Sequence, residues 1–140
     1  MKNKRLLNLS VLLLVLLFSN AIKASEFAFF NTVQKVFRTQ GLHVSYDNMK
    51  FVEDGGIRRF MLTLQSRRTD IDRVMLVGFY ASGIAIQRTN ENVDGVNISL
   101  NISRKDNERI LLSADTKDIL SLLNKKISTN QFVSTNVSWY

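Results

Sequence analysis

The chain contains no cysteine and no proline, only six glycines in 140 residues and a single histidine. Without cysteine there are no disulfides, thiolate metal sites or cysteine nucleophile. The lipid-modified cysteine that would tether an exported protein is missing too. Without proline there are no proline-rich linkers or stalks. One histidine, His43, cannot form a two-histidine metal site, and with no Gly-x-Ser-x-Gly elbow no serine stands out as its nucleophilic partner. Neither Gly-x-Gly-x-x-Gly nor a P-loop pattern occurs, so the usual nucleotide-binding signals are missing as well.

Long apolar runs are scarce. The first, in MKNKRLLNLSVLLLVLLFSNAIKA, has the three parts of a secretory signal. Lys2, Lys4 and Arg5 form the positive start, Val11 to Phe18 the apolar core, and Ala21 and Ala24 follow as small residues suited to cleavage. Residues 1–24 are expected to act as an export signal and residues 25–140 to form one domain, periplasmic or secreted. The competing reading is an uncleaved membrane anchor, but Asn8, Ser10 and Asn20 interrupt the run and leave it short for a span, and no stable membrane span is expected after cleavage. The signal also accounts for much of the charge. Of the 19 basic residues, Lys2, Lys4, Arg5 and Lys23 fall within it, with no acid, leaving 15 against 12. A remainder of +3 argues against a nucleic-acid partner, which needs a concentrated basic face.

The second run lies between Thr69 and Arg88, TDIDRVMLVGFYASGIAIQR, and is uncharged from Val74 to Ile86. It too is short for a bilayer. Thr69 as N-cap, with Asp70 and Asp72 in the first turn, favours a helix. Gly78, Ala81, Ser82 and Ala85 then gather small residues on one side for close packing. The competing reading is a hairpin, VMLVGFY-ASG-IAIQ, because Val, Phe, Tyr and Ile favour strands.

Around this stretch the pattern alternates between helices and hairpins. Phe27, Phe30, Val33, Val36 and Phe37 predict an amphipathic helix ending near Gly41. Leu42 to Tyr46 and then Met49 to Val52 read as extended. Asp54-Gly55-Gly56 then turns into IRRFMLTLQS, where Phe60, Leu62 and Leu64 alternate with polar or weakly apolar residues. In the second hairpin Val96, Ile98, Leu100 and Ile102 alternate with Asn97, Ser99, Asn101 and Ser103. After a polar turn at Arg104 to Asn107, Ile110, Leu112 and Ala114 return. A helix from Asp115 or Thr116 to Lys126 follows, then a short turn burying Phe132 and a tail able to add an edge strand. The expected fold is an α+β, two-layer domain in the order α-ββ-α-ββ-α: an antiparallel sheet from two hairpins, packed against about three helices.

Candidate chemistry is sparse. Arg58, Arg59, Arg67 and Arg68 flank the second strand and are a candidate patch for an anionic partner, their plainer role being solvated strand-edge charge. Asn90-x-Asn92-x-Asp94-Gly95 has the first half of a calcium-loop pattern, but position 12 is Asn101 rather than Glu, and a helix-to-strand turn explains it equally. Asn97, Asn101 and Asn136 each begin an Asn-x-Ser sequon. The acids sit mostly in turns and first helical turns, where capping accounts for them. No catalytic residue, metal ligand or cofactor site is assigned.

The expected function is that of a small exported, non-enzymatic accessory protein that binds another envelope or secreted protein. It would do so through the Asn/Ser face of its sheet, an edge strand or the basic cluster. A hydrolase with an Asp/Glu pair brought together only by folding, and a surface protein that self-associates through its tail strand, are the alternatives.

Overall fold

A computed structural model describes residues 24–103 and 108–140. Most of the stretch expected to act as an export signal, and the polar turn expected at Arg104 to Asn107, therefore lie outside the described residues. Helix α1 spans residues 24–39. Strands β1 (Met49–Asp54) and β2 (Ile57–Ser66) form the first hairpin, and helix α2 (Ile71–Thr89) follows. Strands β3 (Gly95–Ile102) and β4 (Arg109–Asp115) form the second, with helix α3 (Thr116–Leu123) after them. A single turn α4 (Thr129–Gln131), a π-turn at Phe132–Asn136 and the short strand β5 (Ser138–Trp139) complete the chain.

The class is α+β, with one five-stranded sheet in the order β1-β2-β3-β4-β5 and the four helices packed with it. The sheet is mixed, not antiparallel as the two hairpins suggested. β2 pairs with β3 in parallel, from Arg59 opposite Gly95 to Ser66 opposite Ile102, while every other pairing is antiparallel. The cause is α2. A 19-residue helix carries the chain back along the full length of β2, so β3 starts at the same end as β2 and must run beside it.

The alternating residues of β2 and β3 do what period two requires. Phe60, Leu62, Leu64, Val96, Ile98, Leu100 and Ile102 face the helices and are buried. Helix α2 settles on this layer through its small residues. Gly78 lies so close that a Cβ there would stand 2.8 Å from Ile98 Cδ1 and 3.1 Å from Leu64 Cδ1. Gly83, on another side, meets Ile119 of α3 at 2.8 Å in the same sense. Ser82 is buried with its hydroxyl donating to the Gly78 carbonyl, so the polar group costs little. The N-cap position falls at Asp70, after a 3₁₀ turn at Arg68–Asp70, rather than at Thr69.

Helix α1 covers the first hairpin. Its buried face is Phe29, Val33 and Phe37, spaced by four, with Phe30 and Val36 beside it. Phe27 is instead 59% exposed, stacked on Tyr46 at the surface. Phe29 and Phe30 join Phe51 and Phe60 in a cluster with ring centroids 4.8–6.4 Å apart. At the far end, Phe132 is fully buried edge-on to Phe79, 5.4 Å away. No described helix is long and apolar enough to cross a membrane.

Candidate functional site

Among the described residues the helices pack on one face of the sheet, against Phe60, Leu64 and Ile98, and none lies on the other face. Its residues are the outward partners of the buried alternation: Arg59 and Met61 on β2, Asn97 and Ser99 on β3, Leu111 and Ser113 on β4. They surround a shallow hollow of about 380 Å³ with Tyr140 at its rim. The strand register places Asn97 opposite Ser113 and Ser99 opposite Leu111. That pairing builds a fixed polar network. The Ser113 hydroxyl donates to Asn97 Oδ1 at 2.8 Å, and the Arg59 guanidinium donates to Asn97 Oδ1 and Ser113 Oγ, each at 3.2 Å. Arg59 also reaches Asp115 at 3.4 Å. Apolar groups stand around this network: Leu111 is 45% exposed and Tyr140 78%. Arginine, tyrosine and methionine, all present here, are among the residue types enriched where proteins meet.

The four arginines singled out from the sequence do not come together. Arg58 and Arg59 begin β2 and point to opposite faces, while Arg67 and Arg68 lie past its other end. Each already holds a carboxylate. Arg58 bridges Glu26 and Glu91, Arg59 holds Asp115, Arg67 holds Asp70 and Arg68 holds Glu108. Of the four, Arg59 lies in the open-face hollow.

Folding does bring two carboxylates together, Glu26 and Glu91, but with a guanidinium between them. Arg58 lies 4.1 Å over the Phe51 ring, and Glu91 also accepts from the Ser25 hydroxyl. Burial alone would push the Glu91 carboxyl up, but the Ser25 hydroxyl and Arg58 outweigh it and hold it below the usual carboxylate range. The Arg58 guanidinium, shared by Glu26 and Glu91, ties α1 to the start of β2. His43 is exposed in the coil before β1.

The Asn90–Gly95 segment is a turn with its polar groups engaged. Asn90 caps α2 in the left-handed conformation, φ 52°. Asp94 Oδ2 accepts the Arg58 backbone N–H at 2.8 Å, and the Asn92 carbonyl accepts from the Arg58 guanidinium. Among the described residues no group of three His, Cys, Asp or Glu is placed to share a metal ion. Of the sequon asparagines, Asn97 is engaged as above, Asn101 Oδ1 accepts from Arg109, and Asn136 Oδ1 is buried without a partner.

The helical side carries a second concavity that the sequence reading passed over. Leu76, Tyr80 and Ile84 follow one another at intervals of four on α2, with Val77 alongside, and none is buried. They floor a groove of about 590 Å³ between α1 and α3. The signal was present in the uncharged run itself. Thirteen residues without charge are more than one buried helical face can use and call for cover on more than one side, and α1 and α3 leave part of that surface exposed.

Comparison with protein-family models, with curated proteins and with solved structures finds no match to this chain.

Proposed function

We propose that the protein is a small exported accessory protein of the cell envelope that acts by binding another envelope or secreted protein, without chemistry of its own. The observation that carries the reading is the uncovered face of the sheet, with its Arg59–Asn97–Ser113 network framed by Met61, Leu111 and Tyr140. An ordered polar centre ringed by arginine, methionine and tyrosine is the mix of residue types enriched where proteins meet. Export rests on the three-part pattern of the first 24 residues. The titration of Glu91, lowered by partners that also fix α1, supports a structural use of the carboxylates that folding brings together.

Site-specific photocrosslinking in the intact cell tests this. A photoreactive side chain at position 111, on the open face, is expected to give one discrete adduct that Arg59→Glu removes. The same side chain at position 117, exposed on α3, is expected to give none. No adduct at 111, or the same adducts at both positions, defeats the reading.

A further inference from the structure

The groove over α2 is floored by apolar residues that folding buries only in part. At its rim stand three cations, one from each flanking or flooring segment: Lys35 on α1, Arg88 on α2 and Lys125 just past α3. None of the three is ion-paired among the described residues, and no carboxylate lines the groove. The contrast with Arg58, Arg59, Arg67 and Arg68, all matched to acids, gives these cations their interest.

Charge decides between occupants. A second copy presenting its own groove would set cations against cations. The apolar leader of this chain carries Lys2, Lys4, Arg5 and Lys23 and meets the same repulsion. A partner's helix, about 10–12 Å across with its side chains, would meet the three cations only if its own sequence placed acids opposite them. An apolar chain with one negative end fits both the size and the sign. A site of about 590 Å³ is of small-ligand size.

We infer that this groove binds a single acyl chain bearing an anionic head, of which a free fatty acid is the simplest form. The side-chain amide of Gln87 donates to Asn124 Oδ1 at 3.3 Å and ties the C-terminal ends of α2 and α3 together. Arg88 and Lys125, next in sequence to those two residues, therefore stand at one end of the groove and receive the carboxylate. From Arg88 back to Leu76 the floor runs about 18 Å along α2, room for an extended chain over Ile84, Tyr80 and Val77.

The backbone at Lys125 points the same way. It adopts φ 57°, the left-handed conformation that closes a helix and ordinarily takes glycine. Two hydrogen bonds, Lys125 N–H to the Leu122 carbonyl at 3.1 Å and Lys126 N–H to the Ser121 carbonyl at 2.9 Å, fix the turn. A lysine held at a position where glycine is easier is the kind of local strain that marks a used site.

Calorimetry on the full chain, with laurate well below its micelle concentration, tests the inference. The expected result is saturable one-to-one binding of laurate. Dodecyl maltoside should bind about ten-fold more weakly, and dodecyltrimethylammonium weaker still. Lys125→Gly is expected to raise the melting temperature yet weaken laurate binding about ten-fold, a combination that a purely structural lysine does not produce. Arg88→Gln should weaken it likewise. Binding by the apolar leader is untouched by either substitution, so the groove-dependent part is read alone. Equal affinity for the three head groups, or unchanged laurate binding in the Arg88→Gln, Lys125→Gly double variant, overturns the inference. A Leu/Glu amphipathic peptide that binds and is not displaced by laurate also overturns it, in favour of a partner helix. The open-face reading does not depend on this result, and each experiment can fail without the other.

Discussion

Gly78 and Arg58 show how single side chains, or the lack of one, hold this domain together. At Gly78 the space for a Cβ is already occupied to 2.8 Å by Ile98 Cδ1. That atom ends a flexible side chain and can give way for one methyl. Gly78→Ala is therefore expected to be near neutral, because better helix propensity, up to about 1 kcal/mol, offsets the crowding. Gly78→Val adds two more methyls against Leu64 as well and should cost about 1–3 kcal/mol in denaturant unfolding. At Arg58, removal of the guanidinium strands Glu91, whose side chain is only 9% exposed. Arg58→Ala should cost about 2–3 kcal/mol, somewhat below a fully buried pair because Arg58 itself is partly solvated. The folded-state pKa of Glu91 is lowered, so the pair's stabilisation is complete above the unfolded carboxylate range. It is lost as pH falls through the lowered value. Melting temperature followed from about pH 7 to about pH 3 should fall less steeply on the acid side in Glu91→Gln than in the wild type.

Among the elements, β3 was the most legible in sequence and α1 the least. Val96 to Ile102 alternates without exception, and one face of β3 is buried, so period two left a single register. The helix α2 was decided by its small residues, which make sense only at spacings of three and four. In α1, by contrast, phenylalanines at 27, 29, 30 and 37 allow two neighbouring faces, and only the position of Phe51 and Phe60 selects Phe29 over Phe27. The groove and the fates of the arginines were not legible, because both depend on which residues distant in sequence meet: Arg58 with Glu91, Arg68 with Glu108. The parallel pairing was hidden for a related reason, since hairpin signals are local and say nothing of how two hairpins join. The tail is a further case. Its short strand pairs with β4 through Leu112 opposite Trp139 and Ser113 opposite Ser138 and so caps the middle of that edge. Ending the chain after Val137 should expose the β4 edge, and light scattering should then show mass rising with concentration where the full chain's does not.

Among the described residues the domain has two unlike sides, a polar-and-apolar sheet face with a shallow hollow and a helical groove lined by three cations, held apart by a single buried layer. The layer between them is continuous from Phe29 through Phe60 and Ile98 to Phe79 and Phe132. Each side can be altered at exposed positions without touching that layer, so the proposed binding can be tested by substitution without disturbing the fold. The parallel junction of β2 and β3 has a consequence in time rather than in space. Each hairpin closes over a short loop, but the two cannot join until α2 has formed and folded back, which closes the longest loop among the paired strands. The transition state for folding should therefore contain the α2 contact with β2 and β3, while the Phe132 turn and β5 add later. In a chevron analysis, Ile98→Val should slow folding with a φ-value above about 0.5. Phe132→Leu should chiefly speed unfolding, with a value near zero.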